Sequence, residues 1–512
     1  MKKFFNSFRA PVLSTMLVAA LAFACNDDEN PTIPPVDEEP TPGMAPDVNF
    51  TALADDNRIM MFNARDLDSP MNIKSITGLA DGEMIVSIDY RPATGQLYAL
   101  GSSSRLYFIN ENSGEATALG EGSFSPAING DNASLDFNPT VDRIRLVTAS
   151  GQNLRLHPEL GTVVAEDGNI SGGENPMIGA VAYTNSVAGA TSTALYDIDF
   201  SANKLFIQDP PNDGGLQEVG DLGVDFLGQG NFDISPDNSA VLAVALNDGE
   251  SRLFTINLES GAAEWVGEFN TPILGIAFKT NPVAFAATAD NKLERFNPMS
   301  PSSNPVDITG LNEGEMVVGL DFRPANGALY AITNQSRIMT VNTANGSVSP
   351  VGEGLTPMLE GESFGFDFNP TVDRIRLVSN TGQNLRLHPD LGTVVAVDGD
   401  LNPGMPFVNG AAYTNNVATA SSTVLYVLDS DNNMLYKQDP PNDGGLVEIG
   451  SLGIEFTAEN GFDIGGDSDM AFALLTVDGM TGVYSINITT AEVTKISDFN
   501  VSAVAMAVGL GF

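Results

Sequence analysis

The chain contains two copies of one long sequence. The stretch "ITGLADGEMIVSIDYRPATGQLYAL" at 76–100 returns as "ITGLNEGEMVVGLDFRPANGALYAI" at 308–332, and "QDPPNDGGL" at 208–216 returns at 438–446. The offset stays between 230 and 234 residues. Self-similarity at a fixed offset is the mark of a tandem duplication. We therefore predict a first repeat at 48–280 and a second repeat at 281–512.

Each repeat shows a shorter rhythm of four apolar-alternating runs separated by turns. Residues 85–120, "IVSIDYRPATGQLYALGSSSRLYFINENSGEATALG", form one such unit. Alternation with period two indicates strands, and the 51 glycines and 30 prolines of the chain supply turns. No sustained helical period follows the N-terminal segment, so the pattern predicts an all-β fold. Four similar units are 133–167, 179–219, 231–267 and 273–309.

About five four-stranded units per repeat is typical of a β-propeller. We prefer two tandem propeller-like domains of about five blades each, because each repeat carries a complete set. The alternative is one continuous ring of about ten blades, which the short link "KTNP" at 279–282 would suit. In both arrangements we expect the last strand, within 501–512, to pair beside the first, within 48–56, since this leaves no long edge open.

The N-terminus predicts export and a lipid anchor. Basic residues precede an apolar run at 11–24 that is too short to span a bilayer, so 1–24 is typical of a signal peptide. Cys25 follows Ala22 and Ala24 as in a relaxed bacterial lipobox, which makes it the candidate lipidated residue. The acidic residues after Cys25 resemble the surface-export signal of Bacteroidetes lipoproteins. We expect a surface-exposed outer-membrane lipoprotein; a periplasm-facing or secreted protein is the alternative.

Composition excludes several classes. Residues 25–47 are acidic and rich in proline, which predicts a disordered tether after the lipidated cysteine. The formal net charge of −42 would repel nucleic acid, so we expect no nucleic-acid partner. A single cysteine forms neither an intramolecular disulfide nor a cysteine-based zinc cluster. The expected membrane contact is through the N-terminal lipid alone.

Four motifs occur in order in each repeat: "FNPTVDRIRLV", "GQNLRLHP", "AYTN" and "QDPPNDGGL". In this order and spacing they resemble the bacterial exported domain-of-unknown-function family 4394, in two tandem copies. The resemblance covers nearly all of 48–512. It implies a secreted, propeller-like domain without an established activity, and it brings no catalytic residue with it.

The arginine-rich strand pair is the first candidate site. "FNPTVDRIRLVTASGQNLRLHPELG" at 137–161 shares 21 of 25 positions with 368–392 and holds one of the two histidines of the chain. Two explanations stay open: the arginines pair with carboxylates such as Asp136 and Asp142 in a structural network, or they bind a carboxylate, phosphate or acidic sugar. In the second case, protonation of the histidine near its ordinary pKa of about 6.5 would tighten binding in mild acid. The candidate anion-binding residues are Arg143, Arg145, Arg155, His157, Arg374, Arg376, Arg386 and His388.

Several predicted turns are rich in aspartate and asparagine, whose side-chain oxygens are possible calcium ligands. Asp, Asn and Gly supply calcium ligands, but they are also the ordinary residues of hairpin turns. The glycine and glutamate of a complete calcium loop are absent here, so we favour turns and expect no cofactor. The repeated "QDPPNDGGL" is likewise interpreted as a loop of fixed shape, with ligand contact as the alternative. The calcium candidates are Asp197, Asp199, Asn203, Asp429, Asp431 and Asn433.

Nothing in the sequence assembles a catalytic set. "GESFG" at 361–365 matches a nucleophile elbow but leads into a predicted strand rather than a helix. We expect a non-enzymatic binding or scaffold module that recognises a ligand, glycan or protein through loops. A carbohydrate-active lyase or hydrolase that uses carboxylates is the alternative, and a purely structural envelope protein is the third. The single tryptophan, Trp265, is predicted to pack in the core rather than serve as a glycan platform.

Overall fold

The computed structural model describes residues 42–512 apart from 131, 227, 228 and 248. The predicted signal peptide, Cys25 and most of the predicted tether lie outside the described residues. The described chain forms ten four-stranded antiparallel sheets, consistent with propeller blades, and one 3-10 helix, Pro441–Asp443. The all-β prediction is confirmed. Within the described residues, no helix has the length and apolar character that crossing a membrane requires.

The strands of the first repeat are numbered β1 to β20 in chain order. Strands β1 to β3 are Asn49–Ala54, Arg58–Asn63 and Asp66–Ser75. Strands β4 to β7 are Ile85–Tyr90, Leu97–Gly101, Arg105–Ile109 and Ala116–Ala118. Strands β8 to β11 are Ala133–Asn138, Arg143–Thr148, Asn153–His157 and Thr162–Glu166. Strands β12 to β15 are Ile178–Tyr183, Leu195–Asp199, Lys204–Gln208 and Leu216–Asp221. Strands β16 to β20 are Gln229–Ile234, Val241–Asn247, Glu250–Ile256, Ala263–Phe269 and Ile273–Ala277.

The second repeat supplies β21 to β40. Strands β21 to β23 are Ala284–Thr288, Lys292–Phe296 and Val306–Asp307. Strands β24 to β27 are Val317–Arg323, Ala328–Thr333, Ile338–Val341 and Val348–Val351. Strands β28 to β31 are Phe364–Asn369, Arg374–Ser379, Asn384–His388 and Thr393–Val397. Strands β32 to β35 are Val408–Tyr413, Leu425–Asp429, Met434–Gln438 and Leu446–Ser451. Strands β36 to β40 are Asn460–Ile464, Ala471–Val477, Met480–Ile486, Val493–Asp498 and Ala503–Val508.

Four of the five units predicted from the sequence form single sheets: β4–β7, β8–β11, β12–β15 and β16–β19. The fifth prediction, a unit at 273–309, is wrong. Strand β20 pairs with β1 and completes the sheet β20-β1-β2-β3, whereas β21 to β23 belong to the sheet β23-β22-β21-β40. The "KTNP" link at 279–282 therefore joins strands of two different sheets and is not a hairpin within one.

The expected pairing of the last strand with the first is also wrong. Strand β40 pairs with β21, with Met506 opposite Ala286, and β1 pairs with β20, with Ala52 opposite Ile276. Each repeat thus completes its first sheet with its own last strand. The inner edges of β1 and β21 are therefore covered, in each case by the last strand of the same repeat.

The innermost strands of neighbouring sheets contact one another. In the first repeat β4 contacts β8, β8 contacts β12, β12 contacts β16, β16 contacts β20, and β20 contacts β4. The corresponding contacts in the second repeat join β24, β28, β32, β36 and β40 in the same order. Aromatic side chains fill the space between sheets: the ring centroids of Tyr98 and Phe137 lie 4.9 Å apart, and those of Tyr330 and Phe368 lie 5.2 Å apart.

The two repeats pack against each other. Arg91, which is fully buried, donates from Nη1 to the carbonyl oxygen of Gly327 at 2.9 Å. Its carboxylate partner Asp142 accepts a hydrogen bond from the Thr343 hydroxyl at 2.7 Å. A residue of the predicted tether also joins the folded part, because the backbone N–H of Gly43 donates to a carbonyl oxygen of the first repeat at 2.7 Å.

Candidate functional site

The arginine strand pair forms a network around one carboxylate. Arg145, on β9, is buried and donates from Nη1 to Asp167 Oδ2 at 2.7 Å and to Asn153 Oδ1 at 2.6 Å. Arg155, on β10, binds the same carboxylate through Nε and Nη2 at 2.7 and 2.9 Å. Arg145 Nη2 reaches Asn212 Oδ1 at 2.8 Å. One aspartate therefore neutralises part of the charge of two arginines, and its contact with Arg155 is bidentate.

The second repeat has the same network around Asp398. Arg376 donates to Asp398 Oδ2 at 2.7 Å and to Asn442 Oδ1 at 2.8 Å, and Arg386 binds both carboxylate oxygens at 2.8 and 3.0 Å. Asn212 and Asn442 both belong to the repeated "QDPPNDGG" loop. The two most similar stretches of the repeats are thus the two sides of one contact between neighbouring sheets, which explains why both are duplicated so closely.

The carboxylates that we expected opposite these arginines lie elsewhere. Asp142 pairs with Arg91, and Asp136 lies among the innermost strands. The prediction that Asp136 and Asp142 neutralise the arginine strands is therefore wrong. Asp167 takes this role because it directly follows β11, which is paired with the strand of Arg155.

The histidines sit at the ends of these strands. Nδ1 of His157 and of His388 accepts the backbone N–H two residues later, at 3.4 and 3.2 Å. Burial, together with the charges of Arg143 and Arg91, lowers the pKa of His157 to about 4. The expected protonation near pH 6.5 is wrong for this residue. Arg143 and Arg374 each donate Nη1 to the carbonyl oxygen of the preceding residue at 2.7 Å.

Three buried aspartates meet among the innermost strands of each repeat. Carboxylate oxygens of the three lie within 4.8 Å of one another. Each aspartate also accepts a backbone N–H from the next innermost strand or the residue after it; Asp89 Oδ2 accepts that of Phe137 at 2.8 Å and Asp233 Oδ2 that of Phe278 at 2.6 Å. These groups, named here the aspartate triads, are Asp89, Asp136 and Asp233, and Asp321, Asp367 and Asp463.

Burial favours the protonated form of the triad carboxyl groups. Burial raises the pKa of Asp233 and of Asp463 to about 7. Burial, reinforced by neighbouring carboxylates, raises the pKa of the other four well above the ordinary value. Among the described residues, no basic side chain donates a hydrogen bond to any of the six. Three carboxylates are a donor set that a hard cation prefers, but their bonds to backbone N–H groups account for them as clamps between strands.

The calcium candidates form turns. Asp199 Oδ1 accepts the backbone N–H groups two and three residues later at 2.8 and 3.1 Å, and Asp429 Oδ1 does so at 3.0 and 3.1 Å. Asn203 and Asn433 each adopt a left-handed φ of 53°, which suits a tight turn. Asp431 is exposed in the same turn as Asp429. These contacts are those of hairpin turns, as the sequence favoured.

Asp197, the sixth calcium candidate, is fully buried, and among the described residues neither of its carboxylate oxygens has a hydrogen-bond partner. Burial raises its pKa well above the ordinary value, and the charge of Arg145 opposes this in part. The corresponding residue of the second repeat is Val427, also buried. Burial therefore favours the protonated form of Asp197, and among the described residues it belongs to neither carboxylate cluster.

A cleft of about 470 Å³ opens where the two repeats and their link meet. Its wall combines side chains of both charge signs with amides, hydroxyls and apolar groups. The lining residues are Thr51, Ile59, Met60, Met61, Asn72, Lys74, Glu111, Asn112, Lys279, Thr280, Pro282, Asp467, Ser468, Gly511 and Phe512.

The charged groups of this junction cleft are arranged around Glu111. Lys279 Nζ lies 2.9 Å from Glu111 Oε2 and 3.9 Å from Asp467 Oδ2. The Tyr90 hydroxyl donates to the other oxygen, Glu111 Oε1, at 2.5 Å. Burial raises the pKa of Asp467 to about 6, Lys279 opposes this and Glu111 adds to it. Lys74, half-buried in the same wall, completes the set.

Sequence reasoning missed both the triads and the junction cleft. A signal for the triads was present: "SIDY", "SLDF" and "NFDI" place an aspartate at one position of three runs in the first repeat. The cleft had no local signal, because its wall joins residues from both repeats and the link between them. The arginine strands were found, but their shared carboxylate was not, although Asp167 and Asp398 precede a glycine in both repeats.

These features define a duplicated all-β protein built from four-stranded sheets with a cleft at the junction of its repeats. The chain belongs to the family described as Domain of unknown function (DUF4394), whose model matches residues 58–277 and 292–509. The two matches fall within the two repeats, which confirms the resemblance carried by the four motifs. No curated protein matches this chain.

Proposed function

We propose that this protein is a surface-anchored lipoprotein whose folded part, two five-bladed propellers in series, binds a ligand without transforming it. The propeller assignment is supported by the pairing of β20 with β1 and of β40 with β21. It is supported further by the order of contacts among the innermost strands, which returns to its starting strand in each repeat. A ring of blades joined in this way leaves no long sheet edge for unwanted pairing.

The junction cleft is the observation that carries the binding function. Its volume of about 470 Å³ is in the usual range for small-molecule sites. Histidine and cysteine are absent from its lining residues. In the described structure, the hydroxyl groups of the lining residues Thr51, Thr280 and Ser468 are not hydrogen-bonded to a carboxylate or an imidazole, so none of the three is activated as a nucleophile. Recognition is therefore favoured over catalysis.

A substitution that fills the cleft tests this function. Ser468 is exposed in the cleft wall, and Ser468→Trp would occupy the space that a ligand needs. We expect ligands found by screening small molecules and glycans for a thermal shift to stabilise the full chain but not this variant. Ser349→Trp, on the exposed outer strand β27, is the matched control and should retain the shift. A ligand that stabilises all three proteins equally would place binding outside the cleft.

The anchor is proposed from the sequence and is tested separately. Cys25→Ala removes the sulfur to which the lipid would be attached. We expect the parent protein to be retained in the membrane fraction and cleaved by protease added to whole cells, and the variant to be released. Retention of the variant in the membrane would refute lipidation at Cys25. Protection of the parent from external protease would instead support a periplasm-facing protein.

A further inference from the structure

Positive charge is scarce in this protein, and most of it is used internally. After removal of the predicted signal peptide, 20 basic residues remain against 65 acidic ones. Lys74 is the one lysine of the described chain without an ion pair, and it lies in the wall of the junction cleft. The lysines that form ion pairs are Lys204, Lys279, Lys292, Lys437 and Lys495.

Lys279 is a second cation in the cleft, and only part of its hydrogen-bonding capacity is used by the carboxylates around it. An ammonium group has three donors, and Lys279 Nζ has one close carboxylate oxygen, at 2.9 Å on Glu111. The oxygen of Asp467 is farther away, at 3.9 Å. The Lys279 side chain is 46 % exposed. Glu111 is held from its other side by the Tyr90 hydroxyl, so it is a fixed partner that leaves Lys279 accessible to a ligand.

We propose that the junction cleft binds a small sugar acid, with Lys74 and Lys279 receiving its carboxylate. The amide group of Asn72 and the hydroxyl group of Ser468, both exposed in the same wall, suit the hydroxyl groups of such a ligand. Neutral sugars are commonly held by stacking on exposed aromatic rings, whereas the aromatic side chain that lines this cleft, Phe512, is half-buried and stacks on Phe472. Recognition by charge and hydrogen bonds is the means that this wall offers.

Binding should tighten in mild acid. The pKa of Asp467 is raised to about 6, and the groups that face this carboxylate are Lys279, Glu111 and the Tyr90 hydroxyl. When Asp467 takes up a proton, the two lysines are opposed by Glu111 alone. The net charge of the cleft then rises by one, which favours an anion.

The inference rests on the proposed function, and one titration series separates the two. Galacturonic acid and glucose are titrated into the full chain by calorimetry at pH 5.0 and 7.5. We expect galacturonic acid to bind more tightly at the lower pH, glucose to bind at least tenfold more weakly, and Lys74→Ala to weaken galacturonic acid about tenfold, the effect of losing one charge-assisted hydrogen bond. Lys292→Ala, a lysine paired with Asp307 outside the cleft, is the matched control and should change nothing.

Two failures have different meanings. Glucose that binds as tightly as galacturonic acid, or galacturonic acid binding that Lys74→Ala leaves unchanged, would overturn the sugar-acid inference. If binding is nevertheless abolished by Ser468→Trp, the proposed binding function stands. Absence of binding by both sugars overturns the inference, and absence of any ligand sensitive to Ser468→Trp in the wider screen overturns the proposed function as well.

Discussion

At the scale of single residues, the raised pKa values of the aspartate triads make the stability of the fold depend on pH. An unfolded chain releases aspartate protons near a pKa of about 3.9, whereas the folded protein holds those of Asp233 and Asp463 up to about pH 7. The protonated carboxyl groups of Asp233 and Asp463 therefore stabilise the folded state fully below about pH 4, and this stabilisation is lost as the pH rises through about 7. Ionisation of each group lowers the free energy of unfolding by an amount on the order of 2 kcal/mol between pH 5 and 8.

One substitution in each triad should reduce this decrease in the free energy of unfolding between pH 5 and 8. Asp367 accepts a backbone N–H through Oδ1 at 3.0 Å, and its carboxyl group hydrogen-bonds to Asp463. An asparagine at 367 would accept the same N–H and donate its amide N–H to Asp463, as the protonated acid does. We expect Asp136→Asn combined with Asp367→Asn to unfold in urea with a smaller decrease in free energy from pH 5 to 8 than the parent.

Asp463→Asn is the control, because both oxygens of Asp463 already accept backbone N–H groups, of Ile464 at 2.6 Å and of Val508 at 2.5 Å. An amide group would place a donor against one of these donors. This variant should lose roughly 1–3 kcal/mol of the free energy of unfolding at pH 5, where the parent holds the Asp463 proton. Equal free energies of unfolding for Asp367→Asn and Asp463→Asn at pH 5 would contradict the arrangement in which the protonated Asp367 donates a hydrogen bond to Asp463.

At the scale of strands and loops, the arginine network joins neighbouring sheets. Asp167 is the carboxylate shared by Arg145 and Arg155, and Asp167→Ala would leave the buried Arg145 guanidinium without its counter-charge. Breaking a buried ion pair from one side costs about 3–5 kcal/mol. We expect a loss of this size in the free energy of unfolding, measured by urea denaturation.

Arg155→Ala gives the comparison within the same network. The Arg155 side chain is 34 % exposed, and Asp167 keeps its bond to Arg145 in this variant. Ion pairs of exposed groups contribute about 1 kcal/mol or less, so we expect a small loss. Should Arg155→Ala destabilise the protein as much as Asp167→Ala, the network would depend on Arg155 in a way that burial does not explain.

Part of this network could be predicted from sequence alone. The alternation in "DRIRLV" placed arginines on strands, and the near-identical copies singled out Arg145 and Arg376 as members of a structural network or an anion site. The partners could not be predicted, because Asp167 reaches Arg145 only after β11 has paired beside β10, and Asn212 reaches it only after two sheets have packed together. Period-two patterns specify which face a residue takes within one sheet, and they carry no information about the neighbouring sheet.

At the scale of the whole molecule, the same limit applies to strand pairing. Four runs per unit and about five units per repeat were predicted from the sequence, but the unit at 273–309 and the partners of the last strands were predicted wrongly. The runs of β20, "ILGIA", and of β40, "AVAMAV", are both short and apolar, so either would fit beside β1 or β21. The charged groups of the junction cleft escape prediction for a related reason, since Lys74 and Asp467 are almost 400 residues apart in the chain.

Engineered disulfides distinguish two rings from one. In a Cys25→Ser background, cysteines at Ala286 and Met506 occupy opposite positions on β21 and β40. Opposite residues of antiparallel strands have Cα atoms about 4.5–5.5 Å apart, within the range of a disulfide. We expect this pair to oxidise in the folded protein, as shown by faster migration in a non-reducing gel and by mass spectrometry of the linked peptides. One continuous ring would instead place Met506 beside Ala52 of β1, so a cysteine pair at Ala52 and Met506 should stay reduced. Cross-linking of that second pair, with the first pair unreacted, would overturn the two-propeller arrangement, because the two strand pairings exclude each other.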